Sequence, residues 1–247
     1  MRVAIIFSGH LRNILEHTKN LKDNFLSILE INDIEYDIYI HTWDNNHTSD
    51  TNLNHDKFFK ISNINYILKK LKKRLPKIKL VKKEKQEKVD HLWITRGKFI
   101  HGKVDTEYIH DIYNKLYFQF MGIKRVLNIC KESGIKYDYV VRTRPDCYYK
   151  QKFDVKLLNN DFVVPFSHQK RGISINQIFF MGKYDTMDEV CDYITRVEVM
   201  DQKYILSDIN LNNIFRKYIL DYLKIKPLFC DFNPSLYRDK DNIQDIH

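Results

Sequence analysis

Short unbroken apolar runs alternate along this chain with stretches in which apolar residues recur every three to four positions, and the two patterns predict strands and helices respectively. The run over 3–7 predicts a first strand, and Ile14, Leu15, Leu21, Phe25, Ile28 and Leu29 share one face of a helix over 14–29. A second strand over 36–44 begins apolar and ends in His41-Thr42-Trp43-Asp44. Strand, helix and strand in this order make a βαβ unit. Beyond a polar loop at 45–56, residues 58–75 predict a basic helix stopped by Pro76, and 78–81 a short strand. The stretch 84–105 carries no readable period.

Ile112, Leu116, Phe120, Ile123, Val126, Leu127 and Cys130 then mark a long helix over 108–133, closed by Ser133-Gly134. It leads into 137–146, where Tyr139-Val140-Val141 suits a strand buried on both faces. Pro145 cannot donate to a ladder, so this strand ends by Arg144. Strands at 161–165 and 177–183, helices at 186–196 and 209–223, and a last strand at 226–231 complete the pattern. The sequence therefore predicts an α/β fold: an open, mostly parallel twisted sheet flanked by helices, Rossmann-like. One domain spans 1–247, with a basic insertion at about 45–107.

Composition excludes several classes. At 247 residues, 43% hydrophobic and 13% aromatic, the chain can bury a sizeable core and is no disordered polymer. Cys130, Cys147, Cys191 and Cys230 are far apart with no CxxC, which favours neither a zinc site nor a disulfide framework. A reducing, cytoplasmic compartment is the default expectation. The five apolar residues near the start run into Ser8-Gly9-His10-Leu11-Arg12 and read as a buried strand rather than a secretory signal. No run approaches the length of a membrane span.

The net charge of +9 is local. Residues 69–88 hold eleven of the 41 basic residues and two of the 32 acidic ones, and the remaining 30 of each cancel. A chain that coats nucleic acid diffusely is thereby a poor description, and a nucleic-acid-binding protein built on this segment is the least favoured alternative, because few aromatics interleave these lysines as base-stacking platforms would require. No specific nucleic acid is expected. Lys69 to Lys88 reads either as a solvated face or as a peripheral contact with an anionic membrane surface.

Polar chemistry collects at three strand ends: Ser8-Gly9-His10-Leu11-Arg12, His41-Thr42-Trp43-Asp44 and Arg142-Thr143-Arg144-Pro145-Asp146. In open α/β sheets ligands sit beyond the carboxyl ends of the strands. There, arginines suit anionic oxygens, and a carboxylate suits a metal or a hydroxyl. The alternative for the third cluster is a turn closed by an arginine–aspartate ion pair. No complete Gly-x-x-x-x-Gly-Lys-Ser/Thr phosphate loop is present, since Val104 follows the Gly97 to Lys103 spacing; Gly-x-Ser-x-Gly and Gly-x-Gly-x-x-Gly are missing, and the histidines lack ligand spacing.

The order of these three clusters resembles GT-A-type glycosyltransferases, in particular the small glycosyltransferase-like proteins of bacterial surface-polysaccharide loci and large DNA viruses. The resemblance reaches from Met1 to about Tyr222, with sharp motifs over some 25 residues. It implies a GT-A-like domain that moves a sugar from a nucleotide-sugar to a glycan acceptor, with Mn2+ or Mg2+ on the donor diphosphate. The donor would meet Ser8, Gly9, Arg12, Trp43, Asp44, Arg142, Arg144 and Asp146, with Asp146 also the metal ligand. The family's Asp-x-Asp is here Arg144-Pro145-Asp146, so an arginine stands where the first aspartate would be. Trp43 would stack on the base or else pack on its own sheet. Asp208, next to Ser207 before the 209–223 helix, would deprotonate the acceptor or cap that helix. A catalytically degenerate sugar-binding module is the competing class.

Overall fold

Strand β1 (Arg2–Ser8) lies inside the sheet, because Val3 to Phe7 are all apolar and buried and both its edges are paired. The computed structural model describes residues 1–11, 13–44, 64–85, 106–166, 175, 178–197, 211–232, 234–239 and 242–244. Strand β1 runs parallel to β2 (Glu35–Trp43), with Ser8 opposite His41, and to β4 (Tyr139–Thr143), with Phe7 opposite Thr143. The remaining strands are β3 (Ile78–Glu84), β5 (Cys147–Tyr148), β6 (Phe162–Pro165), β7 (Phe179–Lys183), β8 (Leu228–Cys230), β9 (Ser235–Asp239) and β10 (Asn242–Gln244). Seven strands form one sheet in the order β3-β2-β1-β4-β7-β6-β8. Its pairs are parallel except those made by β7, which runs antiparallel to β4 and β6. The expected α/β class with a mostly parallel sheet flanked by helices is what the chain adopts.

Side-chain alternation gives the sheet two apolar faces, since successive strand residues point to opposite sides. Ala4, Ile6, Tyr39, Val140 and Phe180 pack with Phe120, Ile123, Val126 and Leu127 of α4 (Thr106–Glu132). Residues of α5 (Tyr184–Cys191), α6 (Tyr193–Val197) and α7 (Leu211–Lys217) join this cluster. On the other face Val3, Ile5, Phe7, Ile38, Ile40 and Val141 meet α1 (Ile14–Leu21) and α3 (Ile64–Arg74). The result is a three-layer sandwich with the sheet in the middle.

Some elements differ from the periodic reading. The first helix is α1, a π-helical turn at Lys22–Leu26 and α2 (Ser27–Ile31), and the helix beginning at α7 ends in a second π turn at Tyr218–Tyr222. The helix expected over 186–196 divides at Asp192, whose carboxylate accepts from Lys124, Thr195 and Arg196. Strand β7 passes so close to its neighbour that a Cβ on Gly182 would lie 2.4 Å from the Asp161 carbonyl oxygen. A small sheet, β10-β9-β5, was not anticipated. Beside it Tyr149, Phe25 and Phe232 form a triangle of rings, with centroids 5.8, 5.6 and 6.5 Å apart.

Candidate functional site

The chain builds the sheet outward from β1 in two directions, to β2 and β3 on one side and to β4 on the other. A crevice at such a switch point, beyond the strands' carboxyl ends, is where open α/β sheets bind ligands. Residues from β1 and β4 converge there. Gly9 has φ +120°, which an L side chain rarely adopts, and its N–H donates to the His41 carbonyl over 3.2 Å. Pro145 Cδ stands 4.0 Å from where a Gly9 Cβ would be, so the ends of β1 and β4 nearly touch. Ser8, the last residue of β1, is buried.

Beyond β4 the chain turns tightly, with the Cys147 N–H donating to the Arg144 carbonyl and the Arg144 N–H to that of Ile178. The turn is fixed from outside by Asn20, whose side chain accepts from the Tyr149 N–H at 2.7 Å and donates to the Tyr149 carbonyl at 2.9 Å. Within it Arg144 forks Asp146, Nε to Oδ1 at 2.8 Å and Nη2 to Oδ2 at 2.7 Å. Asp146 is 1% exposed, whereas the Arg144 side chain keeps 20% of its surface in solvent. Burial alone would lower the Arg144 pKa, but the charge of Asp146 and the fork raise it above the ordinary value.

Arg142 behaves differently. It is fully buried on the same sheet face as Val140, and its Nη2 donates to Ser8 Oγ at the long distance of 3.4 Å. Its Nε and Nη1 find no hydrogen-bond partner among the described residues. Burial first, and then the neighbouring Arg144 cation, push its pKa down to about 9.

The end of β2 is packed rather than open. Trp43 is 3% exposed, with its ring edge-on to His41 and Phe118 and the Arg125 guanidinium 5.3 Å from its centroid. Of the two roles expected for Trp43, the ring therefore has the packing one, because helix α4 covers it. Gly122 makes that close cover feasible: a Cβ there would lie 3.4 Å from His41 Nδ1 and 3.6 Å from Ser8 Cβ. Asp44 is ion-paired to Lys83 at 2.9 Å. Arg12 and Asp208 lie outside the described residues.

One grouping went unrecognised in the sequence. His41 Nε2 faces Glu84 Oε2 at 3.3 Å, and Glu84 also pairs with Arg125 and Lys82. Burial first, then Arg125 and Lys82, push the His41 pKa down to about 3, so the ring is neutral at pH 7. Its place in β2, two residues after buried Tyr39, was the available signal.

The described residues at Asp146 do not fit a divalent cation. Both its oxygens are engaged by Arg144, and no group of three or more His, Cys, Asp or Glu able to hold a metal occurs among the described residues.

A hollow of about 800 Å³ lies at the opposite end of the strands, lined by Lys131, Lys136, Tyr137, Asp138, Lys183 and Tyr184. Two of its cations are already paired, Lys131 with Asp188 and Lys183 with Asp161. The space enclosed beside Arg144 and Pro145 is only about 10 Å³. Size favours the hollow, but the chemistry favours the strand carboxyl ends, because a buried guanidinium with unmet donors among the described residues calls for a ligand more strongly than an open depression whose cations are partly paired.

In the basic segment, Lys77, Lys79, Lys82 and Lys83 pair with Glu30, Asp37, Glu84 and Asp44. Lys69, Lys70, Lys72 and Lys73 remain on the exposed side of α3, whose Ile64, Ile67 and Leu71 are buried. No helix among the described residues is long and apolar enough to cross a membrane. The chain matches no known protein-family model and no curated protein.

Proposed function

We propose that this chain is a glycosyltransferase of GT-A-like fold that moves a sugar from a nucleotide-sugar donor to a glycan acceptor, a surface polysaccharide or glycoprotein oligosaccharide. The observation that carries the reading is the convergence of Ser8, Gly9, Arg142 and Arg144 at the switch point of the sheet. Sugar transfer from such a donor leaves negative charge on a departing diphosphate, and the catalyst must stabilise that charge. Two guanidiniums at one strand end offer the stabilisation. The Gly9 turn lets a ligand approach backbone closely, as a phosphate or ribose needs.

In this reading Arg144 has two roles, holding the turn through Asp146 and contributing positive charge at the crevice. The sugar's anomeric carbon breaks its bond to the diphosphate and forms one to an acceptor oxygen, whose proton passes to a carboxylate. Asp208 is assigned that carboxylate on the resemblance alone. No step is routed through a metal ion.

The exposed lysines of α3 add a second partner, an anionic membrane surface on which acceptor glycans are held. The competing reading, a module that binds nucleotide-sugars without turning them over, is favoured by the engagement of Asp146 with Arg144.

Titration calorimetry with a panel of nucleoside-diphosphate sugars, run beside an assay for released nucleoside diphosphate, separates the two. Transfer predicts binding and release for at least one donor. Binding without release under any metal supports the module, and no binding removes both.

A further inference from the structure

A buried guanidinium without a counter-charge is a placement that folding ordinarily avoids. Arg142 comes close to it: it is 0% exposed, and among the described residues no carboxylate is ion-paired with it and the N–H donors on Nε and Nη1 meet no acceptor. Its surroundings are mostly apolar. The Phe180 ring centroid is 5.6 Å from the guanidinium carbon, and Ile6 of β1 is its partner across the sheet. Asp146, the carboxylate two residues beyond Arg144, is forked by that other arginine. An apolar side chain of similar length would suit this face better, as Val140 does one turn of the pleat earlier.

We propose that Arg142 is the receptor for a phosphoryl oxyanion entering at the β1–β4 strand ends, and that this anion binds without a metal ion. Three N–H donors on Nε and Nη1 are unused among the described residues while Nη2 reaches the Ser8 hydroxyl, and an acceptor with several lone pairs suits such a fork of donors. A phosphoryl group is such an acceptor, and guanidinium matches it better than any other side chain. The site also lies where open α/β sheets place phosphates. Identifying the phosphoryl group as the diphosphate of a sugar donor rests on the function proposed above. The anion site itself does not.

A residue kept for its ligand at the expense of the fold has a double signature. Arg142→Met should fold and, without ligand, melt at least about 2 °C above the wild type, because it removes an uncompensated buried charge. It should also lose affinity for anion. The test is calorimetry and thermal melting of the full chain with sodium pyrophosphate in EDTA. The wild type should bind and gain melting temperature, Arg142→Met should bind at least about tenfold more weakly, and Arg142→Lys should retain part of the response.

A variant Arg142→Met that melts lower or does not fold would show the guanidinium to be structurally satisfied and overturn the proposal. Equal binding by the variant, or wild-type binding that needs added metal, would overturn it as well. A wild type indifferent to pyrophosphate would overturn it too. Pyrophosphate binding without consumption of any nucleotide-sugar would uphold the anion site and refute the transfer reading.

Discussion

Removing Asp146 should destabilise the fold before it affects any chemistry. Its carboxylate is 1% exposed and takes both arms of the Arg144 guanidinium at 2.7 and 2.8 Å. Deleting one partner of a fully buried pair costs about 3–5 kcal/mol, because the other charge stays behind unpaired. Arg144 keeps 20% of its side chain in water, so solvent relieves part of that penalty. We expect about 2–4 kcal/mol for Asp146→Ala, or a fall in melting temperature of roughly 5–15 °C at this chain length. The assay is a double-mutant cycle with Arg144→Met, read by urea denaturation at pH 7. Since the double variant leaves no charge stranded, most of the loss should return, giving a coupling of about 2 kcal/mol or more. Exposed pairs give only about 0.2–1 kcal/mol. An Asp146→Ala protein as stable as the wild type, with no coupling, would refute the argument and leave Asp146 free for a ligand.

Other expectations follow from the same structure. Gly182→Ala should lose about 2–4 kcal/mol, since the new Cβ would meet the Asp161 carbonyl oxygen at 2.4 Å and backbone cannot rotate away; a melt within 1 °C of wild type contradicts this. The folded pKa of His41, about 3, lies below the unfolded value, so the unfolded state binds the extra proton. Stability is then complete above about pH 6.5 and falls as pH drops toward 3, by up to about 1.4 kcal/mol per unit for one histidine. Melts between pH 6.5 and 5 should show the slope, with a share from His17, also lowered by burial, and His41→Phe should flatten it; a flat wild-type profile refutes the assignment. Vesicles containing phosphatidylserine should sediment the protein at low salt and release it at high salt. Replacing Lys69, Lys70, Lys72 and Lys73 together by Gln should abolish that association, and unchanged sedimentation would exclude α3 as the contact.

The elements legible in the sequence were those whose burial is written locally. The apolar runs that became β1, β2 and β4 are continuous, and the long helix α4 repeats its apolar residues for its whole length. Direction is not written in a run: nothing in the Phe179–Lys183 residues says that β7 is antiparallel. The two-residue β5 is too short for any period, and its partner β9 is almost ninety residues away. The site divided the same way. That polar residues gather at the ends of β1 and β4 could be read from the end of each run, and the Arg144–Asp146 pair was one of two readings of their spacing. That Trp43 is covered depends on Gly122 in a distant helix, and that the Arg142 Nε and Nη1 lack a partner among the described residues depends on every neighbour they have. The alternation of β4 did contain a hint, because it puts Arg142 on the same face as core residue Val140.

The central claim is the location of the ligand, and a crystal of the chain soaked with a nucleoside diphosphate tests it most directly. The account predicts density beyond the carboxyl ends of β1 and β4, with phosphate oxygens within hydrogen-bond distance of the Arg142 guanidinium and the base extending past Gly9. Density in the hollow lined by Lys131, Lys136 and Lys183 at the opposite end of the strands, with Arg142 untouched, would contradict it.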